Sequence, residues 1–160
     1  TWKVFEELRA DGRARSIGVS NFRIVDLQRL LAETQIVPAV NQIEVNPYFT
    51  NDPLRTFGLE HGILTEAWSP LAQGAVFGEA ALAQVAERAN RSVPQVIMRW
   101  HIQRGDIVFP KTMSPERMRE NLSVFDFELG ADDMAAIATI DRGPQGRTGA
   151  DPDTFDYKPR

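Results

Sequence analysis

One alternation restricts this chain more than any other feature. Four short apolar runs are followed, each in turn, by a stretch whose apolar residues fall at helical spacing. Residues 15–19 (Arg-Ser-Ile-Gly-Val), 38–45 (Pro-Ala-Val-Asn-Gln-Ile-Glu-Val), 63–68 and 106–109 read as strands, each closed by Asn, Ser, Pro or Gly. Between them Phe22, Val25, Leu27, Leu30 and Leu31 predict a helix over 22–33, and Leu54, Phe57 and Leu59 predict one over 51–61. Residues 80–89 form a third. Ser92 caps a fourth, with Pro94 in its first turn and Val96, Ile97 and Trp100 on one face. A helix over 2–10 precedes the first strand. One opening at Ser114-Pro115 and one over 132–140 follow the last. Connections of this length are too long for hairpins, so the strands are parallel and joined by right-handed crossovers. The class is α/β. A flavodoxin-like open sheet and half of a (β/α)8 barrel both satisfy the pattern, since a complete barrel takes eight strands and roughly 250 residues.

Charge and composition narrow the function classes. With 18 Lys plus Arg against 22 Asp plus Glu, the net charge is −4, which excludes a polybasic nucleic-acid binder. The absence of Cys removes disulfide frameworks and thiolate metal sites, and it fits a reducing, cytoplasmic setting. No window approaches the roughly 18 apolar residues of a membrane helix, and the N-terminus lacks a signal-peptide pattern. No membrane partner is expected. The chain opens directly on a helix, as a piece of something longer would.

The common catalytic and nucleotide-binding fingerprints, from GxGxxG to HExxH, do not occur. His61 and His101 are isolated on helices and receive no role, and no metal ligands are assigned. The informative residues lie just past the C-terminal ends of the four strands: Ser20-Asn21, Gln42 with Asn46, Trp68-Ser69-Pro70-Leu71, and Lys111-Thr112. In a parallel α/β fold that edge is where ligands bind. Any one such pair could simply close a turn, but all four strand ends carry one. Gln42 sits in an otherwise apolar strand, where a side-chain amide needs a partner, either another amide of the protein or a ligand carboxamide. Trp68 offers a flat face for a planar ring, or a core contact. Lys111, Thr112, the helix start at Ser114 and Arg117 together suit a phosphate. The competing reading makes Ser114 an ordinary N-cap followed by an exposed Arg.

In order along the chain, Gly18-Val19-Ser20-Asn21-Phe22, the run from Val40 to Tyr48, Ala67-Trp68-Ser69-Pro70-Leu71, and Phe109-Pro110-Lys111-Thr112 with Arg117 through Asn121 resemble the aldo-keto reductase family. The likeness runs from Trp2 to about Asp141. It is greatest to the bacterial 2,5-diketo-D-gluconate reductase type, through Trp68 and Val124-Phe125-Asp126-Phe127.

The resemblance implies the C-terminal half of a (β/α)8 TIM barrel, four parallel strands with surrounding helices over residues 1–142, and an irregular tail over 143–160 that includes Phe155 and Tyr157. It also implies NADPH as cofactor and a small carbonyl compound, such as a keto-sugar acid, as substrate. Ser20, Asn21 and Gln42 then match the holders of the nicotinamide carboxamide, and Trp68 the residue that stacks on its ring. Ser69, Pro70, Leu71 and Gln73 match the loop along the diphosphate. Lys111, Thr112, Met113 and Arg117 match the 2′-phosphate pocket, and Glu120 and Asn121 the adenine contacts. No catalytic residue carries over, because the family's Asp, Tyr, Lys and His lie ahead of the segment that Thr1 begins. Tyr48 and Tyr157 do not match the catalytic motif. The expectations are therefore a reductase's cofactor-binding half or, alternatively, a non-catalytic nucleotide-binding or assembly module. The complete barrel would be a monomer and a true half-barrel a homodimer.

Overall fold

A computed structural model of the protein describes residues 1–155, so Tyr157 lies outside the described residues. The strands are β1 (Val19–Ser20), β2 (Val40–Glu44), β3 (Leu64–Trp68) and β4 (Ile107–Val108), and the helices are α1 (Trp2–Ala10), α2 (Ile24–Glu33), α3 (Asp52–Glu60), α4 (Ala80–Ala89), α5 (Val93–Gln103), α6 (Pro115–Leu122) and α7 (Ala131–Ala138). The strands form one parallel sheet in the order β1-β2-β3-β4, with helices around it, as in the second half of a TIM barrel. No helix among the described residues is long and apolar enough to cross a membrane, and no group of His, Asp and Glu among them could hold a metal ion.

The chain divides into two compact units, Thr1–Ile43 with Asn51–Glu66, and Glu44–Thr50 with the residues from Ala67 onward. In the first unit, β1 pairs with β2 through only two positions, Val19 opposite Asn41 and Ser20 opposite Gln42. Sequence reading gives this strand residues 15–19. The observed strand is shorter, beginning four residues later and ending one later. Gly18 permits the approach, because a Cβ there would lie 2.5 Å from Val40 Cγ2. Helix α2 buries Leu27 and Leu30. At its start the Asp26 carboxylate accepts from the Arg23 amide at 3.0 Å and from its guanidinium at 2.7 Å, which holds the Asp26 pKa below the usual carboxylate range. Trp2 anchors α1 by donating its indole N–H to Ile36 O at 3.2 Å.

The second unit is built around α5, which packs on α4, α6 and β4. Its N-cap is the Ser92 that the sequence shows, and the structure makes it reciprocal: Ser92 Oγ accepts from Gln95 N and Gln95 Oε1 accepts from Ser92 N. The helix buries Val96, Ile97, Met98 and Trp100. Arg99 is buried with them. Its guanidinium donates to Gln103 Oε1, Val124 O and Glu128 Oε1, fixing the segment after α6.

Two further segments differ from the sequence reading. The stretch after β3, expected as a loop, winds into kinked 3-10 turns over Ala72–Gly78, with Gln73 and Gly74 outside helical geometry. The C-terminal segment, expected to be irregular, contains a 3-10 turn at Gly143–Gly146 and is docked. Arg142 N donates to Tyr48 O at 2.8 Å, and the Arg142 and Arg147 guanidinium groups lie 3.5 and 4.3 Å from the ring centres of Tyr48 and Phe49. The signal was present but ambiguous. Gly146 reads as a turn former, whereas here it permits close contact: a Cβ at that position would be 1.8 Å from Tyr48 O.

Candidate cofactor site

In the first unit the β1–β2 register brings Ser20, Asn21 and Gln42 together. Ser20 Oγ donates to Gln42 O at 3.1 Å, and Asn21 N donates to the same carbonyl at 2.9 Å. Asn21 takes the left-handed conformation, φ 57°, that ends the strand and leaves its side chain exposed. Asn41, which sequence reasoning passed over, fixes the next residue: its side chain accepts from Phe22 N and donates to Phe22 O. The partner of the Gln42 amide is neither an amide nor a ligand. Gln42 Nε2 donates to the Glu66 carboxylate of β3, which orients the amide by a charge-assisted bond.

In the second unit β3 ends on a strained turn. Ser69, Ala72 and Gln73 all have positive φ, at 51°, 47° and 54°, so the segment from Trp68 to Gln73 curls tightly, with Trp68, Ser69, Pro70 and Leu71 half-buried and Gln73 exposed. Beneath it sits His101, fully buried, with Nδ1 2.9 Å from Asp106 Oδ2 and Nε2 3.3 Å from Pro70 O. Burial pushes its pKa down against the opposing pull of Asp106. Sequence reading gives His101 no role, and its isolation on a helix offered no cue.

The anion-binding candidates follow β4. Lys111, Met113 and Arg117 are exposed, and Met113 is 91% so. Thr112 Oγ1 accepts from Ser114 N at 3.1 Å, and Ser114 Oγ accepts from Arg117 N at 3.4 Å. Ser114 is therefore the N-cap of α6, with exposed Arg117 in the capped first turn and exposed Lys111 three residues ahead of the cap. An N-cap at Ser114 followed by an exposed Arg117 is what the competing sequence reading describes. Glu120 is half-buried and its carboxylate accepts from the Ser92 hydroxyl, so the α5 cap engages a residue read as an adenine contact. Asn121, also half-buried, follows it on α6.

The docked C-terminal segment adds a residue that sequence reasoning missed. Glu44, at the end of β2 and 1% exposed, accepts from Thr148 N and Thr148 Oγ1 and from Gly149 N. Gln73 Nε2 lies 3.5 Å from Thr148 O. A Cβ on Gly149 would be 2.3 Å from Trp68 Cη2, so bare backbone lies against the indole.

Comparison with known proteins agrees with this architecture. The model of the aldo/keto reductase family matches residues 1–142. Glyoxal reductase of Bacillus subtilis is 44% identical over 153 residues, 96% of this chain and 55% of the relative. Methylglyoxal reductase DkgA of Yersinia pestis is 44% identical over 156 residues, 96% of this chain and 56% of the relative. The chain thus spans little more than half the length of these curated relatives. A crystal structure of a Gox0644 mutant in complex with NADPH superposes with a TM-score of 0.95 at 48% identity, covering 98% of this chain and 58% of that one. The chain belongs to the aldo/keto reductase family.

Proposed function

We propose that the protein to which this chain contributes reduces small carbonyl compounds, and that this chain supplies the surface that binds NADPH. The observation that carries the reading is the likeness to the NADPH complex, which extends over nearly the whole chain. The donor set fits the cofactor. Two exposed cations at a capped helix start suit a phosphate, and an indole at a strand end suits a planar ring. When bound, NADPH supplies the hydride.

The chain's own residues bind and orient. Ser20, Asn21 and Gln42 present amide and hydroxyl groups to the carboxamide, with the Gln42 amide held by Glu66. Trp68 stacks on the nicotinamide. Ser69, Pro70, Leu71 and Gln73 line the diphosphate. Lys111, Thr112, Met113 and Arg117 take the 2′-phosphate, and Glu120 and Asn121 the adenine. The proton donor lies elsewhere. The Tyr48 hydroxyl already donates to Glu79 and faces Ala75 O, and burial, then Glu79, raises its pKa, which suits a structural phenol rather than an acid. Substrates of this reading are dicarbonyls and keto-sugar acids, the setting is cytoplasmic, and residues 1–142 form the half-barrel of a monomeric enzyme, with neither nucleic acid nor membrane as partner.

Titrating NADPH and NADH against this chain while following Trp fluorescence tests the reading. NADPH binds more tightly. Arg117→Glu removes that preference, a loss of about ten- to a hundredfold for NADPH alone, as expected of a charge-assisted contact. Equal loss for both dinucleotides rejects the assigned contact.

A further inference from the structure

The turn after β3 is held together by few bonds of its own. Ala72 N donates to Ser69 O and Gly74 N to Leu71 O, each at 2.8 Å, while three non-glycine residues sit at positive φ. Such a conformation persists only where surrounding structure over-determines it. The Pro70 carbonyl, inside this turn, points to His101. That ring reaches it from a pair built by another local device: α5 ends at Gln103, and past its cap Gly105, φ 81°, lets the chain fold back so that Asp106 N donates to His101 O at 3.0 Å. This places the Asp106 carboxylate on the ring's second nitrogen.

A carbonyl oxygen and a carboxylate oxygen both only accept, so the two contacts stand together when Nε2–H donates to Pro70 O and a second proton lies between Nδ1 and Asp106 Oδ2. A polar pair with no exposed side-chain surface is poor evidence for stability, since apolar residues of similar volume fill such space as well or better. What this pair does, and an apolar one could not, is present an N–H at a fixed height beneath the turn.

We propose that His101 and Asp106 are positioning residues for residues 69–73, with Asp106 orienting the imidazole and His101 Nε2–H holding the Pro70 carbonyl so that the turn keeps the shape that meets the cofactor diphosphate. The cofactor half of this statement rests on the site proposed above. The other half, that the pair holds the turn, does not.

Two side-chain amides separate the ring's nitrogens. Glutamine at 101 puts its amide where Nε2 lies, and asparagine puts its amide where Nδ1 lies. In His101→Gln the Pro70 contact survives. Amide hydrogen exchange at Leu71, Ala72 and Gly74 stays within threefold of the native chain, and affinities for NADPH and NADH within twofold. In His101→Asn the contact is lost. Exchange at those three amides accelerates at least tenfold while α4 and α7 keep their protection, and both dinucleotides bind about five- to tenfold more weakly with their ratio unchanged, because the diphosphate is common to both. Should His101→Asn not fold, the His101→Leu/Asp106→Leu pair, which removes the buried ring and carboxylate together, takes its place with the same expected losses.

Identical behaviour of the Gln and Asn variants, or unchanged exchange in a folded variant lacking the Pro70 contact, overturns the proposal. Faster exchange in the turn with neither dinucleotide bound by the native chain would leave the pair's hold on the turn intact and reject the cofactor reading instead. That pattern is distinct from the selective NADPH loss expected of Arg117→Glu.

Discussion

The Glu44 carboxylate accepts both the backbone N–H and the hydroxyl of Thr148, each at 2.6 Å, across 104 residues of sequence. Gly149 N and Asn46 Nδ2 donate to the same buried carboxylate, so dipoles of the C-terminal segment and of the turn after β2 converge on it. Glu44→Ala leaves those donors without their acceptor. Stability falls by about 2 kcal/mol, and limited proteolysis releases the residues after Arg142 faster than from the native chain. A variant whose melting temperature and cleavage rate match the native chain would show that the segment docks without this carboxylate.

Gly149 lies against Trp68 because it has no side chain. Gly149→Ala places a methyl group within the indole and costs about 1 to 3 kcal/mol, the usual range for overpacking. Combining it with Trp68→Leu recovers most of that loss. A double-mutant cycle in urea, with no coupling between the two positions, would contradict the contact.

Arginines in this chain divide by burial. Arg99 donates three bonds from a buried position, so Arg99→Met lowers stability by about 2 kcal/mol. Arg29, paired with Glu33 on the exposed face of α2, contributes little, and Arg29→Ala changes stability by less than about 0.5 kcal/mol. Chemical denaturation midpoints rank the two.

Tyr48 predicts an alkaline limb in stability. Its pKa is raised in the folded chain, so the unfolded chain loses the phenolic proton first. The contribution is fully present below the ordinary tyrosine value, near 10, and is lost as pH rises toward the folded value. In Tyr48→Phe the native chain's loss of stability over that window becomes shallower. Denaturation measured in steps from pH 8 to 11 reads the difference, and superimposable profiles would contradict it.

What the sequence made legible follows from how local each determinant is. Helices α1 and α4 stand at their expected bounds because apolar spacing and the residues that close them are local. The rim residues were legible as types at strand ends, since strand order fixes which edge they occupy. Strand β1 was overextended because Ile17 belongs to an apolar run, yet its carbonyl meets Ala39 N outside the two-position ladder. Partners set by register were beyond reach: Gln42 finds Glu66 across 24 residues, and no local pattern marks that pair. His101 was illegible for the same reason, because its meaning lies in the Pro70 carbonyl above it.

At position 146 the Tyr48 carbonyl leaves no volume for even one methyl group. The route taken by the last described residues is thereby written into a single codon. Any relative that carries a branched or aromatic amino acid there must thread its terminus along another path, so that one letter, read without coordinates, sorts chains that share this ending from those that do not.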